Sequence, residues 1–380
     1  MNRRHWLMGA ASGLIGLPQA RAAGLPMGIA AGWKCGAHHQ VGVLRRTANE
    51  LCVENVLDVP SRPHAVRLQN NGDVLAVGRR PGDWLLRWPR GGESVVWQWA
   101  EPDRCFNGHV LASADGLCLF TTETDLASGQ SLIGVRDAAS LEKTAEWPTH
   151  GVDAHDLVLD GIGALLVANG GVPAQQETGR LKLRLDAMDS SLVRLQTDTG
   201  QLMGQWRLTD RRLSLRHLAW HQHDRQGRRC LGIALQAEHA DVAARAAAPL
   251  LALFEDERLH LAEMPLGVAL AGYGGDMACA GSLFAVSCPR ADAVALWNAD
   301  GRWQGLFSQK QACALMTTVD SLGGPVLWSG GQGAVAWHPD RTEALPLAAK
   351  PAIQLDNHWS ALPPGSAPYF NVIQRKKKHS

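Results

Sequence analysis

The sequence predicts an all-β fold, a seven-bladed β-propeller whose last blade is closed by strands from both ends of the chain. Three observations lead to this prediction. Short alternating apolar runs separated by turn signals fill most of the 380 residues. Similar segments recur at intervals of roughly 40–60 residues, which is typical of propellers. Strand-like runs without a repeat partner remain at both ends of the chain.

The repeat consists of seven segments that open alike, with a polar or small residue before an alternating apolar run. These openings are PHAVRL (63–68), GHVLAS (108–113), AHDLVL (154–159), RHLAWH (216–221), GDMACA (275–280), ACALMT (312–317) and NHWSAL (357–362). A turn and two further strand-like runs follow each of the first six, as DVLAVGR and DWLLRW do in the first. We therefore interpret each unit as one blade.

The seventh unit is incomplete, and its missing strands are available near the N-terminus. The runs are MGIAAGW (27–33), QVGVLR (40–45) and VENVLDV (53–59). Pairing them with NHWSAL would remove an open sheet edge, which otherwise invites aggregation. Two unrelated β-sandwich domains are the alternative, but they do not explain the repeat or its closure.

The N-terminus has the features of an export signal. Arg3 and Arg4 precede a mild apolar run from residue 7 to 17, and Ala20-Arg21-Ala22 matches a small-x-small cleavage pattern. The run is too short to span a hydrocarbon layer about 30 Å thick. We predict a twin-arginine signal peptide at 1–22, a single periplasmic propeller domain at 23–374 and a basic tail at 375–380. No second apolar segment has transmembrane length, so we expect no membrane insertion after signal removal.

Composition excludes several classes of function. The formal net charge is only +1, so the overall field does not favour nucleic acid, and we expect a monomer. Eight cysteines without a CxxC pair are too few for a disulfide scaffold, although one or two disulfides stay open. The sequence contains no P-loop, no dinucleotide-binding glycine motif, no HExxH and no GxSxG, which argues against the common nucleotide-binding and hydrolase classes.

The phase of the repeat predicts a metal site on the propeller axis. The first strand of each blade lines the central channel, so residues at equivalent positions form a ring. The ring comprises His64, His109, His155, His217, Asp276, Cys313 and His358. Neutral imidazole binds copper, iron or zinc, and a thiolate favours copper or zinc. We predict a transition metal at the hub, with histidines that only hydrogen-bond the backbone as the alternative.

A second candidate site lies in the loops next to the blade starts. Its residues are Arg79, Arg80, Arg104, Glu123, Asn169, Glu177 and Arg180. Arginines and glycine-rich turns at one mouth of the channel predict binding of an anionic small molecule or a metal chelate. Salt bridges on the surface are the alternative for these residues.

The motifs GRRPG, NGHVLASADG, TTETD, GVRDAASLEK, GVDAHDLVLDG, VANGG, TGR, LDAMDSSL and SLRHLAW occur in this order. Together they resemble a family of twin-arginine-exported proteins of unknown function, over residues from about 24 to about 360. The resemblance implies a seven-bladed propeller, encoded beside imelysin-type iron-uptake lipoproteins. The family's histidine motifs correspond to His109, His155, His217 and His358, and its glycine-rich motif to Asn169, Gly170 and Gly171.

The resemblance and the ring together predict a periplasmic accessory of iron or copper uptake that binds a metal or a metal chelate. Two other functions stay open. One is an interaction platform for an imelysin-type or other iron-uptake protein, with structural histidines. The other is an enzyme of the lactonase or oxidoreductase type that uses a metal in the channel.

Overall fold

A computed structural model describes residues 28–362, apart from positions 48, 91, 93, 174–183, 222–228, 321 and 340–342. The predicted signal peptide, the predicted start of the mature domain at residue 23 and the basic tail lie outside the described residues. Among the helices of the described part, none is long and apolar enough to cross a membrane.

Within the described residues the chain forms β-strands almost throughout. The N-terminal strands are β1 (Gly28–Cys35), β2 (His38–Thr47) and β3 (Glu50–Val59). The next four groups of strands are β4 (Pro63–Leu68), β5 (Val74–Gly78), β6 (Trp84–Trp88) and β7 (Val96–Trp99); β8 (Arg104–Ala112), β9 (Cys118–Asp125), β10 (Ser131–Asp137) and β11 (Lys143–Pro148); β12 (Ala154–Leu159), β13 (Ala164–Asn169), β14 (Ser191–Gln196) and β15 (Leu202–Trp206); and β16 (Leu213–His221), β17 (Cys230–Ala237), β18 (Leu251–Glu255) and β19 (Arg258–Leu261). The remaining strands are β20 (Met277–Ala280), β21 (Leu283–Cys288), β22 (Ala293–Asn298) and β23 (Trp303–Ser308); β24 (Ala314–Val319), β25 (Pro325–Gly331), β26 (Gly333–His338) and β27 (Glu343–Lys350); and β28 (Gln354–Leu355) and β29 (Ser360–Ala361). A helix α1 (Val242–Ala246) and a 3-10 turn at Leu185–Ala187 lie in the connections.

The described strands β4 to β23 form five separate four-stranded sheets. Each sheet is an antiparallel meander, because its strands are neighbours in the same order as along the chain. The predicted turn sequences SADG and NADG connect paired strands, β8 to β9 and β22 to β23. The all-β prediction is confirmed, and the small four-stranded sheets are consistent with propeller blades.

The first strands of successive sheets lie against one another. Contacts join β4 to β8, β8 to β12, β12 to β16, β16 to β20 and β20 to β24, and β29 contacts both β24 and β4. The residues at the beginning of these strands are therefore gathered in one region, which is where the predicted metal ligands lie.

The strands at the two ends of the described chain share one nine-stranded sheet. Strand β1 pairs with β29 of the NHWSAL segment through Ile29 and Ala361, and also with β28, which precedes that segment, through Trp33 and Leu355. The sheet also includes β24 to β27, because β27 pairs in parallel with β3. The sequence analysis treated these strands as two separate blades. Their joining gives hydrogen-bond partners to two edge strands that would otherwise be open.

The core consists of apolar clusters within the nine-stranded sheet and between neighbouring sheets. One cluster packs Trp33 of β1 against Trp328 of β25 inside the nine-stranded sheet, and another packs Phe254 of β18 against Leu166 of β13 in the neighbouring sheet. Similar clusters join the other neighbouring sheets. Since tightly packed side chains resist displacement, these clusters hold the first strands in fixed positions.

Candidate metal centre

Four first strands are irregular at the predicted histidine. The regular register is interrupted between Pro63 and Val66, Phe106 and Val110, Ala154 and Leu157, and Leu215 and Leu218. His64, His109, His155 and His217 lie inside these interruptions. A β-bulge redirects side chains, so histidines from different register positions can reach the same place.

The five predicted histidines meet in one cluster, which we call the histidine hub: His64, His109, His155, His217 and His358. In nine of the ten pairs, all but His155 with His358, the ring centroids lie between 4.6 and 6.4 Å apart. Four of the rings are buried, and His155 is the most accessible. The structure therefore brings these five side chains together, and their role as metal ligands stays a prediction.

Three overlapping groups within this region have the geometry to hold a metal ion. The groups are His64, His109 and His358; His109, His155 and His217; and His217, Asp276 and His358. In each group the potential ligand atoms lie within 4.8 Å of one another. Because His109, His217 and His358 each belong to two groups, the hub offers one connected set of ligands.

Two buried carboxylates orient two of the histidines. The Nδ1 atom of His109 lies 3.0 Å from Asp156 Oδ1, and that of His358 lies 3.1 Å from Asp276 Oδ1. Within the described residues the Nε2 atoms of both rings are buried and have no hydrogen-bond partner. Metal-binding histidines commonly donate their second ring nitrogen to a carboxylate, which leaves the first nitrogen for the metal.

A close contact between two further ring nitrogens fits the same chemistry. The Nε2 atoms of His155 and His217 are 3.3 Å apart. Two nitrogens bound to one tetrahedral zinc at about 2.0–2.1 Å would lie about 3.3 Å from each other. The observed spacing therefore suits two ligands of one ion.

Four of the hub histidines, His64, His109, His155 and His217, have lowered pKa values that favour the neutral form, which binds metals. Burial lowers the pKa of His64, His155 and His217 well below the usual value, and the neighbouring imidazoles lower it further. Burial also lowers the pKa of His109, although Asp156 opposes this shift. Burial raises the pKa of Asp156, but the His109 imidazole and Arg67 outweigh it and keep this carboxyl ionised.

These shifts predict a stability that falls as the solution becomes acidic. Below pH about 6.5 the histidines of the unfolded chain bind protons that the folded hub does not bind. For each such histidine, the free energy of unfolding therefore falls by about 1.4 kcal/mol per pH unit. We expect chelator-treated protein to lose stability in urea between pH 7 and pH 5, and the variant His64→Gln to lose less over this range. Equal losses in both proteins would contradict the assignment.

Two backbone features bring the rings together. Gly108 has φ +108°, and a Cβ atom there would lie 2.5 Å from His64 Cδ2. His358 has φ +58°, a left-handed conformation that costs energy in a residue with a side chain. Its Nδ1 contact with Asp276 helps to fix this ring, so the local strain serves the geometry of the hub.

The other two members of the predicted ring have different positions. Asp276 binds the backbone N–H of Met277 and Leu315 (both 2.8 Å), just as Asp156 binds those of Leu157 and Leu218. Asp276 therefore corresponds to Asp156 and not to His155, and it supports His358.

Cys313 belongs to none of the candidate ligand groups found among the described residues. Its Sγ lies 3.4 Å from the carbonyl oxygen of Gly330, and burial raises its pKa to about 12. In this structure Cys313 thus donates to a backbone carbonyl and lies apart from the candidate ligand groups.

A buried ion-pair cluster lies beside the hub where the first strands begin. Asp153 is paired with Arg80 and with Arg216, whose Nη1 lies 3.0 Å from Asp153 Oδ2. The same Arg216 nitrogen lies 3.5 Å from His155 Nδ1. The charge of Arg79 contributes to the lowered pKa of His64. Two of the predicted ligand-binding arginines, Arg79 and Arg80, are thus near the hub.

The remaining predicted ligand-binding residues that are described take part in local contacts. Arg104 pairs with Glu146, and the Asn169 amide donates to the Thr149 carbonyl oxygen at 2.9 Å. Glu123 is 1% exposed and pairs with Arg136 at 2.8 Å and Lys143 at 2.7 Å. Arg104, Asn169 and Glu123 thus form ion pairs and hydrogen bonds inside the fold. Glu177 and Arg180 lie outside the described residues.

The structural role of Glu123 predicts a change in stability without a change in metal content. Replacing Glu123 with Gln leaves the buried Arg136 charge without its main partner, so we expect a loss of about 3–5 kcal/mol in the free energy of unfolding. The control is Glu257→Gln, which removes one partner of the exposed ion pair between Arg194 and Glu257. It should lower the free energy of unfolding by less than about 1 kcal/mol. Loss of metal from a stable Glu123→Gln protein would contradict this role.

The sequence analysis missed three residues next to the predicted histidines. Asp156 follows His155, Gly108 precedes His109 and Arg216 precedes His217. Their adjacency was the available signal, because inside a bulge consecutive residues can face the same site. All eight cysteines lie in the described part of the chain and are free thiols, so the structure contains no disulfide between them.

Small antiparallel sheets around a cluster of buried imidazoles define the class of this protein, an all-β protein with a candidate metal centre. The chain belongs to the family described as "Protein of unknown function (DUF1513)", which matches residues 57–362. This range contains every predicted hub residue. No curated protein matches the sequence.

Two solved structures show a similar fold. The first is a functionally unknown protein from Desulfotomaculum acetoxidans, with a TM-score of 0.58 and 11% identity, over 90% of this chain and all (100%) of that one. The second is hydrazine synthase from Kuenenia stuttgartiensis, with a TM-score of 0.57 and 10% identity, over 87% of this chain and 98% of that one. At this identity the likeness concerns the fold alone.

Proposed function

We propose that this protein is a periplasmic, twin-arginine-exported seven-bladed propeller that binds a transition metal at the histidine hub. Its role would be that of an accessory in iron or copper uptake. The observation that carries the metal site is the pair of buried histidines whose Nδ1 atoms meet Asp156 and Asp276 while their Nε2 atoms face the hub without a partner among the described residues.

The chemistry of the donor set favours a metal over a purely structural hub. A buried polar nitrogen without a hydrogen bond costs about 1–3 kcal/mol, and several occur together here. A bound copper, iron or zinc ion would satisfy them, since imidazole suits all three metals. His109, His155 and His217 would hold the ion from one side, and His64 and His358 from the other. The seven-bladed, closed architecture is part of the proposal and is supported by the cycle of contacts among the first strands.

Elemental analysis of the protein purified from its own periplasm tests the proposal. We expect about one copper, iron or zinc ion per chain, because the potential ligands form a single connected set that can hold one ion. Purification without metal, together with failure to bind added Cu²⁺, Zn²⁺ or Fe²⁺ at micromolar concentration, would contradict it.

A protein-interaction platform is the second candidate. Three hairpin tips between first and second strands carry exposed apolar side chains: Leu117 (69%), Ile162 (70%) and Leu322 (83%). An apolar rim at this end of the strands would suit docking of an imelysin-type or other iron-uptake protein. An enzyme of the lactonase or oxidoreductase type would use the same metal, and turnover of lactones or oxidation of Fe²⁺ or Cu⁺ would identify it.

A further inference from the structure

A cavity of about 580 Å³ lies where the first strands end, on the far side of the hub from the Asp153 ion-pair cluster. Its wall begins one residue beyond the hub, because Leu218 follows His217 and Met277 follows Asp276. At the opposite end of the strands, the side chain of Asp153 is fully buried and that of Arg216 nearly so. The cavity therefore adjoins the hub at the end of the first strands that lies away from this buried ion-pair cluster.

Arg67 lies in the wall of this cavity, and among the described residues it has no ion-pair partner. Its Nε atom is buried without a hydrogen-bond partner, and the guanidinium forms no ion pair with any described residue. It is nevertheless close to the hub, because its charge contributes to the lowered pKa of both Asp156 and His109. Arg80 and Arg216 at the other end are both paired with Asp153. A half-buried arginine without a counter-ion is suited to an anionic ligand.

The rest of the lining combines apolar walls with polar residues such as Gln69, Asn70 and Ser360. Leu218, Ala278 and Leu315 form apolar walls, and each is less than one-tenth exposed. Thr317 adds a hydroxyl whose Oγ1 is buried without a partner in the described structure. Apolar walls with a few polar groups aimed inward are typical of sites for small molecules.

The balance of charge points to the same class of ligand. Asp156 and Asp276 bring two negative charges to the hub, which a divalent metal ion would neutralise. The positive charge of Arg67, which Asp156 partly offsets in the metal-free protein, would then be less well balanced in a partly buried place, which is unfavourable. A carboxylate bound at Arg67 would balance it.

We propose that this cavity binds a small organic carboxylate, held by Arg67 and the Thr317 hydroxyl, and that the metal reaches the hub as a carboxylate chelate. This inference rests on the proposed metal function. The ligand would carry two anionic groups: one that binds Arg67 and a carboxylate that binds the metal.

Isothermal titration of citrate into the zinc-loaded full-length mature protein, and into the chelator-treated protein, tests the inference. We expect citrate to bind in both cases and more tightly with zinc. Since a charge-assisted hydrogen bond contributes about 1.5–3 kcal/mol, Arg67→Met should weaken citrate binding roughly 10- to 100-fold. Thr317→Val should weaken it by about tenfold or less. Arg302→Met removes a charge from an exposed turn and should bind citrate like the wild type.

Zinc content, measured on the same samples, separates this inference from the proposed function. Citrate binding that is absent, or equal in Arg67→Met and Arg302→Met, would overturn the inference while stoichiometric zinc still supports the hub. Failure of zinc, and also of added Cu²⁺ and Fe²⁺, to bind would overturn the proposed function and the chelate. In that case, binding of citrate to the metal-free protein that depends on Arg67 would still establish the carboxylate site.

Discussion

We expect the double replacement His155→Ala and His217→Ala to remove stoichiometric metal from the protein while its sheets stay folded. These two rings supply the Nε2 atoms that lie 3.3 Å apart, and together with His109 they form one of the candidate ligand groups. Both carboxylate–imidazole pairs remain in this variant, so neither Asp156 nor Asp276 is left buried without its partner. Metal content should fall from about one per chain to less than about 0.1.

The triple variant that also carries His109→Ala extends this test. It should bind no metal, and it should be less stable by about 1–3 kcal/mol because Asp156 loses its imidazole partner. His260→Ala, on the exposed strand β19, is the control and should keep its metal. Retention of stoichiometric metal by the triple variant would show that the metal lies elsewhere.

The second large effect is expected from Asp276→Asn, which changes no ligand of the metal in our proposal. The carboxylate accepts from His358 Nδ1 and from the backbone N–H groups of Met277 and Leu315. An amide offers only one acceptor oxygen, so one of these donors loses its partner. We expect a 10- to 100-fold weaker metal affinity, which is usual for such supporting carboxylates, and a loss of about 1–3 kcal/mol in stability.

Competition with a chelating dye measures the metal affinity of this variant, and urea denaturation of the metal-free protein measures its stability. The control is Asp300→Asn, in the exposed turn before β23. A variant that loses stability but keeps the wild-type metal affinity would show that Asp276 connects two sheets and does not support the metal site.

The convergence of the histidines could be predicted from the sequence because each stands at the opening of a repeat unit. The phase of the repeat specifies where a residue lies along a first strand, and first strands lie together at the centre of the fold. The alternating pattern also predicted that the N-terminal strands pair with NHWSAL, as β1 does through β29.

The exact register could not be predicted, because a bulge adds residues without changing the apolar pattern on either side. Asp276 was therefore equated with His155, although its hydrogen bonds match those of Asp156. Glu123 looked like a loop ligand because its partners, Arg136 and Lys143, come from β10 and β11 and are distant in sequence. The pairing of charges across strands depends on side-chain geometry that a single sequence does not contain.

The central claim, a metal at the histidine hub, is tested most directly by a crystal structure of the protein isolated with its metal. Diffraction data collected on both sides of the absorption edge of the metal would locate it. We predict one anomalous peak inside the hub, with Nε2 atoms of at least three histidines at about 2.0–2.2 Å. A well-ordered hub without a peak, or a peak at another site, would contradict the claim and make these histidines structural.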